Sequence, residues 1–129
     1  IDYSLDGNIL IISQSTAWCE QEGVRRIIQE KFPSIKVYYR EEEPGCGVYY
    51  TNDTTGDYFP ETYFLDSYDE QLYFETIEEA AECVSGIVGC TVEATIDAIQ
   101  EALEKYVEQK ESSGEEVFYS FHEFKVIDD

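Results

Sequence analysis

The feature that most constrains the fold is a run of regularly spaced apolar residues between positions 91 and 111. Their side chains recur at three- or four-residue steps: Val92, Ile96, Ile99, Leu103, Tyr106 and Val107. This spacing predicts an amphipathic helix, capped by Thr91, whose apolar side must be covered by another layer. Ser112, Ser113 and Gly114 are expected to end it. The rest of the chain must therefore supply a surface that covers one side of a long helix.

Shorter patterns predict the strands of that covering layer. Residues 7–13 are apolar on both faces, which favours a central strand. Residues 34–40 and 48–51 are expected to form an antiparallel pair joined by a turn at 41–47, where Pro44-Gly45 suits the central positions. Residues 115–127 are predicted to form the last strand.

Two further helices are predicted from their start and stop signals. Thr16 caps a helix that runs to about Lys31, and Pro33 prevents it from continuing. Thr76 and Glu79 form a capping box for a short helix that Gly86 and Gly89 are expected to break.

The order of these elements, β-α-β-β-α-β, predicts an α+β fold of the ferredoxin-like, split βαβ kind. One antiparallel sheet would carry the helices on one face. Residues 52–75 form an aromatic-rich insertion that fits either two short strands or an ordered loop. The length of 129 residues suits a single domain, residues 1–129.

The charge is distributed unevenly along the chain. It contains 29 acidic and 8 basic residues, and its net charge is −21. Residues 1–40 hold five of each sign and sum to zero, so residues 41–129 carry the whole excess. Such a field acts on association rather than on fold. Direct binding to nucleic acid is not expected, because it requires basic groups that displace counterions from phosphates. We expect a basic protein as the partner, especially one that itself binds nucleic acid.

A row of carboxylates lies largely opposite the apolar side of the long helix. Its members are Glu93, Asp97, Glu101, Glu104, Glu108 and Glu111. At about 1.5 Å of rise per residue they are roughly 4.5–6 Å apart, a spacing that can imitate a row of phosphates. All of them except Glu111, together with Glu78, Glu79 and Glu82, are the predicted partner-binding residues. The alternative is a solvated helix face, but an ordinary soluble face mixes both signs of charge.

A second candidate surface is aromatic. Residues 38–74 contain eleven Tyr and Phe residues, and alternation along strands would leave about half of them on the outer face. Exposed aromatic side chains are typical of specific protein interfaces. An immunity or antitoxin-like protein that binds one toxin is therefore the alternative function.

Candidates for catalysis are weak. Cys19 follows a strand and Trp18, as in thiol-redox sites, but position 22 is Glu where a resolving cysteine would stand, and neighbouring acids disfavour a thiolate. A Cys19-dependent thiol enzyme is thus the least favoured function. A single histidine, His122, provides no His-based metal cluster, and residues 52–57 lack the Glu of a calcium loop. We predict no catalytic residue, no metal and no cofactor.

The cysteines and the hydropathy pattern predict the compartment. A chain of this length does not need disulfides, so the four cysteines are expected to be reduced and mostly buried. No apolar run approaches a membrane span, and no signal peptide is recognised. We expect a cytoplasmic protein.

Residues 17–61, AWCEQEGVRRIIQEKFPSIKVYYREEEPGCGVYYTNDTTGDYFPE, share a pattern with one known group. The segment resembles the YubB-type ferredoxin-like domain proteins of plasmids and phages. The matching residues are Trp18, Phe32-Pro33, Tyr38, Tyr39, Glu42 or Glu43, Pro44-Gly45 and Gly56. The resemblance implies a ferredoxin-like fold and a mobile-element origin, and it implies no catalytic residue. The resulting hypothesis is an acidic interaction protein that inhibits a basic partner by phosphate mimicry.

Overall fold

The structure, a computed structural model, describes residues 2–13, 15, 22–43 and 47–127. Three sequence predictions fall outside the described residues. They concern the helix cap at Thr16, the roles of Trp18 and Cys19, and the turn at Pro44-Gly45.

The described part of the chain contains eight strands and three helices. The strands are β1 (Asp2–Asp6), β2 (Ile9–Ser13), β3 (Arg40–Glu43), β4 (Val48–Thr51), β5 (Tyr63–Ser67), β6 (Gln71–Phe74), β7 (Tyr119–Glu123) and β8 (Lys125–Val126). The helices are α1 (Glu22–Lys31), α2 (Ile77–Val88) and α3 (Ile96–Ser112). This content confirms the α+β class.

The strands are distributed over three sheets, with the orders β1-β2, β3-β4-β8 and β6-β5-β7. All pairings are antiparallel except β4 with β8. The single antiparallel sheet expected from the sequence is therefore not formed by the described strands, and the split βαβ order is not confirmed.

The predicted central strand at 7–13 is wrong. Ile9–Ser13 pairs with β1 in a two-stranded hairpin, and all its side chains are exposed. The reason is local: Gly7, with φ +60°, and Asn8 form a two-residue turn that brings Asp6 opposite Ile9. The apolar residues of 9–12, which favoured a central strand, therefore lie in an exposed hairpin instead.

The main core lies between the β6-β5-β7 sheet and the two helices α2 and α3. Its buried members come from both layers: Leu65, Ala80, Ala81, Val84, Ile99, Leu103 and Phe121. The strands at 63–67 and 71–74 settle the alternative left open for residues 52–75. Two strands form there. β5 is the central strand of its sheet, and Phe64 and Leu65, which lie on its opposite faces, are both buried.

The last strand of the sequence prediction, 115–127, is split into two. β7 pairs with β5, and after Phe124 the chain moves to the other sheet, where β8 pairs with β4. The Phe124 N–H donates to the Thr62 carbonyl at 2.8 Å, and its buried ring packs with Tyr49 and Phe64. This switch joins the two sheets, and residues 115–118 form no strand.

The pairing of the second and third predicted strands is confirmed, but its position is shifted. The antiparallel register runs from Arg40 opposite Thr51 to Glu43 opposite Val48, so residues expected in the turn belong to β3. Residues 35–39 form no strand. There the Asn52 side chain replaces strand hydrogen bonds, since its Oδ1 accepts from the Tyr39 N–H at 2.8 Å and its Nδ2 donates to the Val37 carbonyl at 3.0 Å.

The caps of the long helices are partly as predicted. The Thr76 hydroxyl accepts from the Glu79 N–H at 3.2 Å, but α2 continues through Gly86 and ends at Gly89, whose φ is +80°. Thr95, not Thr91, caps α3 by accepting from the Ala98 N–H at 3.1 Å. Helix α3 begins late because the Val92 N–H donates to the Ser85 hydroxyl at 2.9 Å, which holds this segment against the end of α2.

Asp53 organises the loop between β4 and β5. Its side chain is buried, and one carboxylate oxygen accepts from the backbone N–H groups of Tyr58 and Phe59, both at 2.8 Å. Burial alone would raise the pKa of Asp53, but these two hydrogen bonds, together with those from the Thr55 side chain and the Gly56 backbone, outweigh it and hold the pKa below its ordinary value. The predicted turn at 52–57 is therefore closed by its own carboxylate.

We expect Asp53→Ala to lower the free energy of unfolding by about 2–3 kcal/mol, because two part-buried N–H groups lose their acceptor. Asp53→Asn, which keeps one oxygen, should cost less. Because the folded pKa is lowered, the ionised carboxylate stabilises the fold above its ordinary pKa of 3.8, and this contribution is lost as the pH falls through the folded pKa. Urea denaturation of the wild type and both variants at neutral and acid pH measures this; equal midpoints would contradict it.

Two tyrosines of the layer between the sheets differ in one contact. The buried Tyr49 hydroxyl has no hydrogen-bond partner among the described residues, and burial, with the charges of Asp66 and Glu42, raises its pKa to about 12. The Tyr73 hydroxyl donates to the Glu42 carboxylate at 3.0 Å, and burial together with this bond raises its pKa to about 12.

Removing the Tyr73 hydroxyl should therefore destabilise the fold, whereas removing the Tyr49 hydroxyl should not. Tyr73→Phe is expected to lower the free energy of unfolding by about 1–1.5 kcal/mol, because a charge-assisted hydrogen bond is lost. Tyr49→Phe is expected to leave it unchanged or raise it by up to about 1 kcal/mol, because an unpaired buried hydroxyl is removed. The two variants are matched controls for each other in thermal or urea denaturation, and equal losses in both would show that Tyr49 has a partner.

Candidate protein-binding surface

The predicted partner-binding residues lie on helices whose other side is fixed by the core. Helices α2 and α3 contact each other, and the side chains of Ala80, Val84, Ile99 and Leu103 pack toward the β6-β5-β7 sheet. The apolar spacing that predicted this buried side also places the carboxylates away from it. The two helices therefore present a continuous outer layer of the molecule.

All eight predicted residues are exposed. Glu78, Glu79 and Glu82 lie on α2, and Asp97, Glu101, Glu104 and Glu108 lie on α3. Glu93 was expected on the long helix and is instead in the connection that precedes it, because the helix begins at Ile96. We refer to the seven helical residues as the acidic face.

The acidic face carries little positive charge. Residues 77–112 contain nine acids and two lysines, a net charge of −7. Lys105 pairs with Glu101 at 2.8 Å, and this bond lowers the pKa of Glu101 and raises that of Lys105. Lys110 pairs with Glu115 at 3.3 Å. Within the described residues, the other six members of the face form no salt bridge, so they are available to a partner.

The positions of the acids along each helix show which of them stabilise the helix and which need another explanation, such as binding a partner. Glu78, Glu79 and Asp97 are in the first turns, where negative charge stabilises the helix through its dipole. Glu82, Glu101, Glu104 and Glu108 lie outside the terminal turns, where the dipole has little effect, and Glu111 lies in the last turn of α3, where negative charge is unfavourable. The helix dipole therefore explains the acids of the first turns and not the others.

The aromatic residues of 38–74 are less exposed than alternation predicted. Three of the eleven, Tyr38, Tyr58 and Tyr68, are exposed, and the others are buried or half-buried. Tyr38 lies against Tyr58 with ring centroids 4.6 Å apart, and Tyr68 lies against Phe118 at 5.5 Å. The expected extended aromatic surface is thus reduced to two small pairs. Among the covered rings, Tyr49, Phe64 and Tyr73 pack between the sheets, and Tyr63 and Phe74 pack against the core below the helices.

Arg40 was missed by sequence reasoning. Its guanidinium lies over three rings, at 4.7 Å from the Tyr73 centroid, 5.2 Å from Phe124 and 5.5 Å from Phe59. It also pairs with Glu42 at 3.5 Å and Glu61 at 3.3 Å. An arginine directly before three glutamates was a signal for an ion pair, but its ring partners are distant in sequence.

His122 lies half-buried between the two sheets. Its ring stacks on Tyr49 with centroids 4.3 Å apart, and its Nε2 contacts the Ser120 hydroxyl. Burial lowers the pKa of His122, and the nearby Asp66 opposes this shift. A neutral imidazole bonded to a hydroxyl can activate a nucleophile, but here the tyrosine ring covers one face of the imidazole. We therefore assign the pair to the packing between the sheets.

Other kinds of site find little support in the described residues. No three His, Cys, Asp or Glu side chains there are grouped as metal ligands. Two open depressions of about 300 and 250 Å³ lie beside the Asp53 loop and beside His122. None of the helices in the described ranges combines the length and apolar character that a membrane span requires.

Comparison with models of protein families, with curated proteins and with solved structures finds no significant match to the chain. The functional assignment therefore depends on the geometry and charge described above.

The two described cysteines differ in exposure. Both are free thiols; Cys83 is half-buried and Cys90 is exposed, so the expectation of mostly buried cysteines does not hold for these two. Burial, with the charge of Glu70, raises the pKa of Cys83.

We expect iodoacetamide at neutral pH to alkylate Cys90 at least about tenfold faster than Cys83, because Cys83 is less accessible and forms less thiolate. Peptide mapping by mass spectrometry over a time course separates the two positions. Labelling in denaturant, where the two rates should converge, is the control. Faster labelling of Cys83 in the folded protein would contradict the burial described here.

Proposed function

We propose that this chain is a non-enzymatic acidic interaction protein that occupies a basic, nucleic-acid-binding protein by presenting carboxylates in place of phosphates. The observation that carries the proposal is the acidic face, on which six of the seven exposed carboxylates form no salt bridge within the described residues. Such a surface repels nucleic acid and attracts a basic partner.

The spacing of the acidic face supports mimicry of a nucleic acid. Asp97 and Glu108 are separated by about 16 Å along α3, with intervening acids at roughly 4.5–6 Å steps. Glu78, Glu79 and Glu82 lie on α2, which packs against α3, and they add to the negative charge of the same two-helix layer.

Origin and location are part of the same proposal. The motif residues of the segment 17–61 support a distant relation to the YubB-type ferredoxin-like proteins of plasmids and phages, and with it a mobile-element origin. A protein that blocks a nucleic-acid-binding partner would act in the cytoplasm and would need no catalytic residue, metal or cofactor.

A second function is favoured by a different observation. Tyr68 is 68% exposed and lies against the exposed ring of Phe118. A pair of exposed rings is a suitable anchor for a specific protein interface, as in an immunity or antitoxin-like protein. In that case binding would depend on the two rings and would change little with salt.

The test measures capture of a basic partner by the immobilised chain from a nuclease-treated lysate of the source cells. Asp97→Asn, Glu104→Gln and Glu108→Gln are combined in one variant. We expect the wild type to retain a nucleic-acid-binding protein at low salt and to release it to added duplex DNA. The triple variant should bind it at least about tenfold more weakly and with a smaller dependence on salt, because each removed charge takes one ionic contact away.

A matched control removes the same charge elsewhere. Glu30→Gln, Asp69→Asn and Glu123→Gln are exposed positions outside α2 and α3, and this variant should bind within about twofold of the wild type. Equal weakening by both variants would show a general charge effect instead of a defined surface. Unchanged binding by the first variant, together with loss on Tyr68→Ala and Phe118→Ala, would establish the aromatic interface and refute mimicry.

A further inference from the structure

His122 lies where the two larger sheets meet. It belongs to β7 and precedes Phe124, the residue at which the chain crosses from the β6-β5-β7 sheet to the β3-β4-β8 sheet. Its imidazole stacks on the ring of Tyr49 of β4, with 17° between the two planes. Tyr49 is 3% exposed and packs with Phe64 and Phe124 in the cluster that joins the sheets. The charge of the imidazole therefore bears directly on this contact.

The groups that can carry charge around the imidazole come from every strand of the two sheets. Strand by strand they are Arg40 and Glu42 of β3, Tyr49 and Tyr50 of β4, Asp66 of β5, Tyr73 of β6, Glu123 of β7 and Lys125 of β8. Helix α3 adds Ile96 and Gln100 at the depression beside the ring, and neither is charged. The Ser120 hydroxyl, which is hydrogen-bonded to the imidazole, is also neutral.

The carboxylates of this set balance a proton on the imidazole only in part. Glu42 already accepts a hydrogen bond and pairs with Arg40. Glu123 follows His122 directly in the strand, so its side chain is on the opposite face of the sheet. Asp66 is on the same face and favours a charged ring, but the lost hydration of the half-buried imidazole outweighs it. The pKa of His122 is therefore below its ordinary value of 6.5.

We propose that His122 is a pH-sensitive contact between the two larger sheets: its neutral ring holds β4 against β7, and a proton on the ring loosens them. The face of Tyr49 attracts a cation weakly, but a charged imidazole regains its hydration only by leaving that buried ring. The open form binds the proton at the ordinary pKa of 6.5, whereas the closed form binds it at a lower pH. The contact is therefore complete above the ordinary pKa and weakens as the pH falls through the interval between the two pKa values.

The acidic face is not part of this contact. Helices α2 and α3 pack on the other face of the β6-β5-β7 sheet, where they meet Leu65 and Phe121. Loosening of β4 from β7 leaves that core in place, so the inference does not depend on the proposed function.

Hydrogen exchange of the full chain, followed by mass spectrometry at about pH 7.5 and about pH 5.5, tests this proposal. The rates are corrected for the pH dependence of exchange in unstructured peptides. Peptides that contain β4 and β8 are expected to lose protection at the lower pH by at least about twofold relative to peptides of α2 and α3. Asp53 does not contribute to this difference, because its ordinary pKa of 3.8 lies well below both conditions.

Two variants separate His122 from the many carboxylates of the chain that also titrate. His122→Phe keeps a stacked ring that cannot take up a proton, and His122→Gln keeps a hydrogen-bonding side chain in case the first variant packs badly. In either variant the loss of protection between the two pH values should disappear. An equal loss in the wild type and both variants, or no loss in the wild type, would overturn the proposal.

The titration of the imidazole is a second, independent readout. Because the chain has one histidine, the ring proton signals of His122 in an NMR spectrum are unambiguous. The midpoint is expected below pH 6.5 in the wild type and lower still in Asp66→Asn, since that variant loses the charge that favours the protonated ring. A midpoint at or above 6.5 in the folded chain would contradict the proposal, because the closed contact would then prefer the charged ring.

Discussion

The layer between the two larger sheets depends on Arg40 and the rings around it. A guanidinium that is 22% exposed requires compensation for lost hydration, and here Glu42 and Glu61 supply charge while Tyr73, Phe124 and Phe59 supply ring faces. These partners come from β3, β6, the loop between β4 and β5, and the point where the chain crosses from β7 to β8. One side chain thus connects the segments that hold the sheets together.

This arrangement has a consequence for the outer surface. Most of the aromatic residues are covered by the sheets, and α2 and α3 pack on the far side of β6-β5-β7. The exposed surface of these helices therefore consists largely of charged side chains. Burial of Ile99 and Leu103 sets the rotation of α3, and that rotation directs Asp97, Glu104 and Glu108 to solvent. The acidic face is therefore a product of core packing, and a partner would meet it on a rigid support.

Prediction from sequence succeeded where the signal was local. The amphipathic helices and the cap at Thr76 depend on neighbouring residues, and they are present in the structure. The antiparallel pairing with 48–51, which depends on a short connection, is also present, although the partner strand is 40–43 and not the predicted 34–40. Prediction failed where distant segments compete. Residues 7–13 have the pattern of a central strand, yet the turn at Gly7 and Asn8 pairs them with β1 in a hairpin. The start of α3 was missed because the Ser85 hydroxyl holds Val92, which is seven residues further along the chain.

The sequence by itself determined the charge excess, its restriction to residues 41–129 and the amphipathic spacing of α3, because composition and periodicity are properties of the chain. It therefore also determined which side of the helix is acidic. Only the tertiary structure decided that Phe124 divides the last strand between two sheets, that eight of eleven aromatic residues between 38 and 74 are at least half covered, and that the apolar residues of the β1-β2 hairpin are left exposed. The physical reason is that strand partners and ring contacts are chosen by competition among segments far apart in sequence, which no local pattern records.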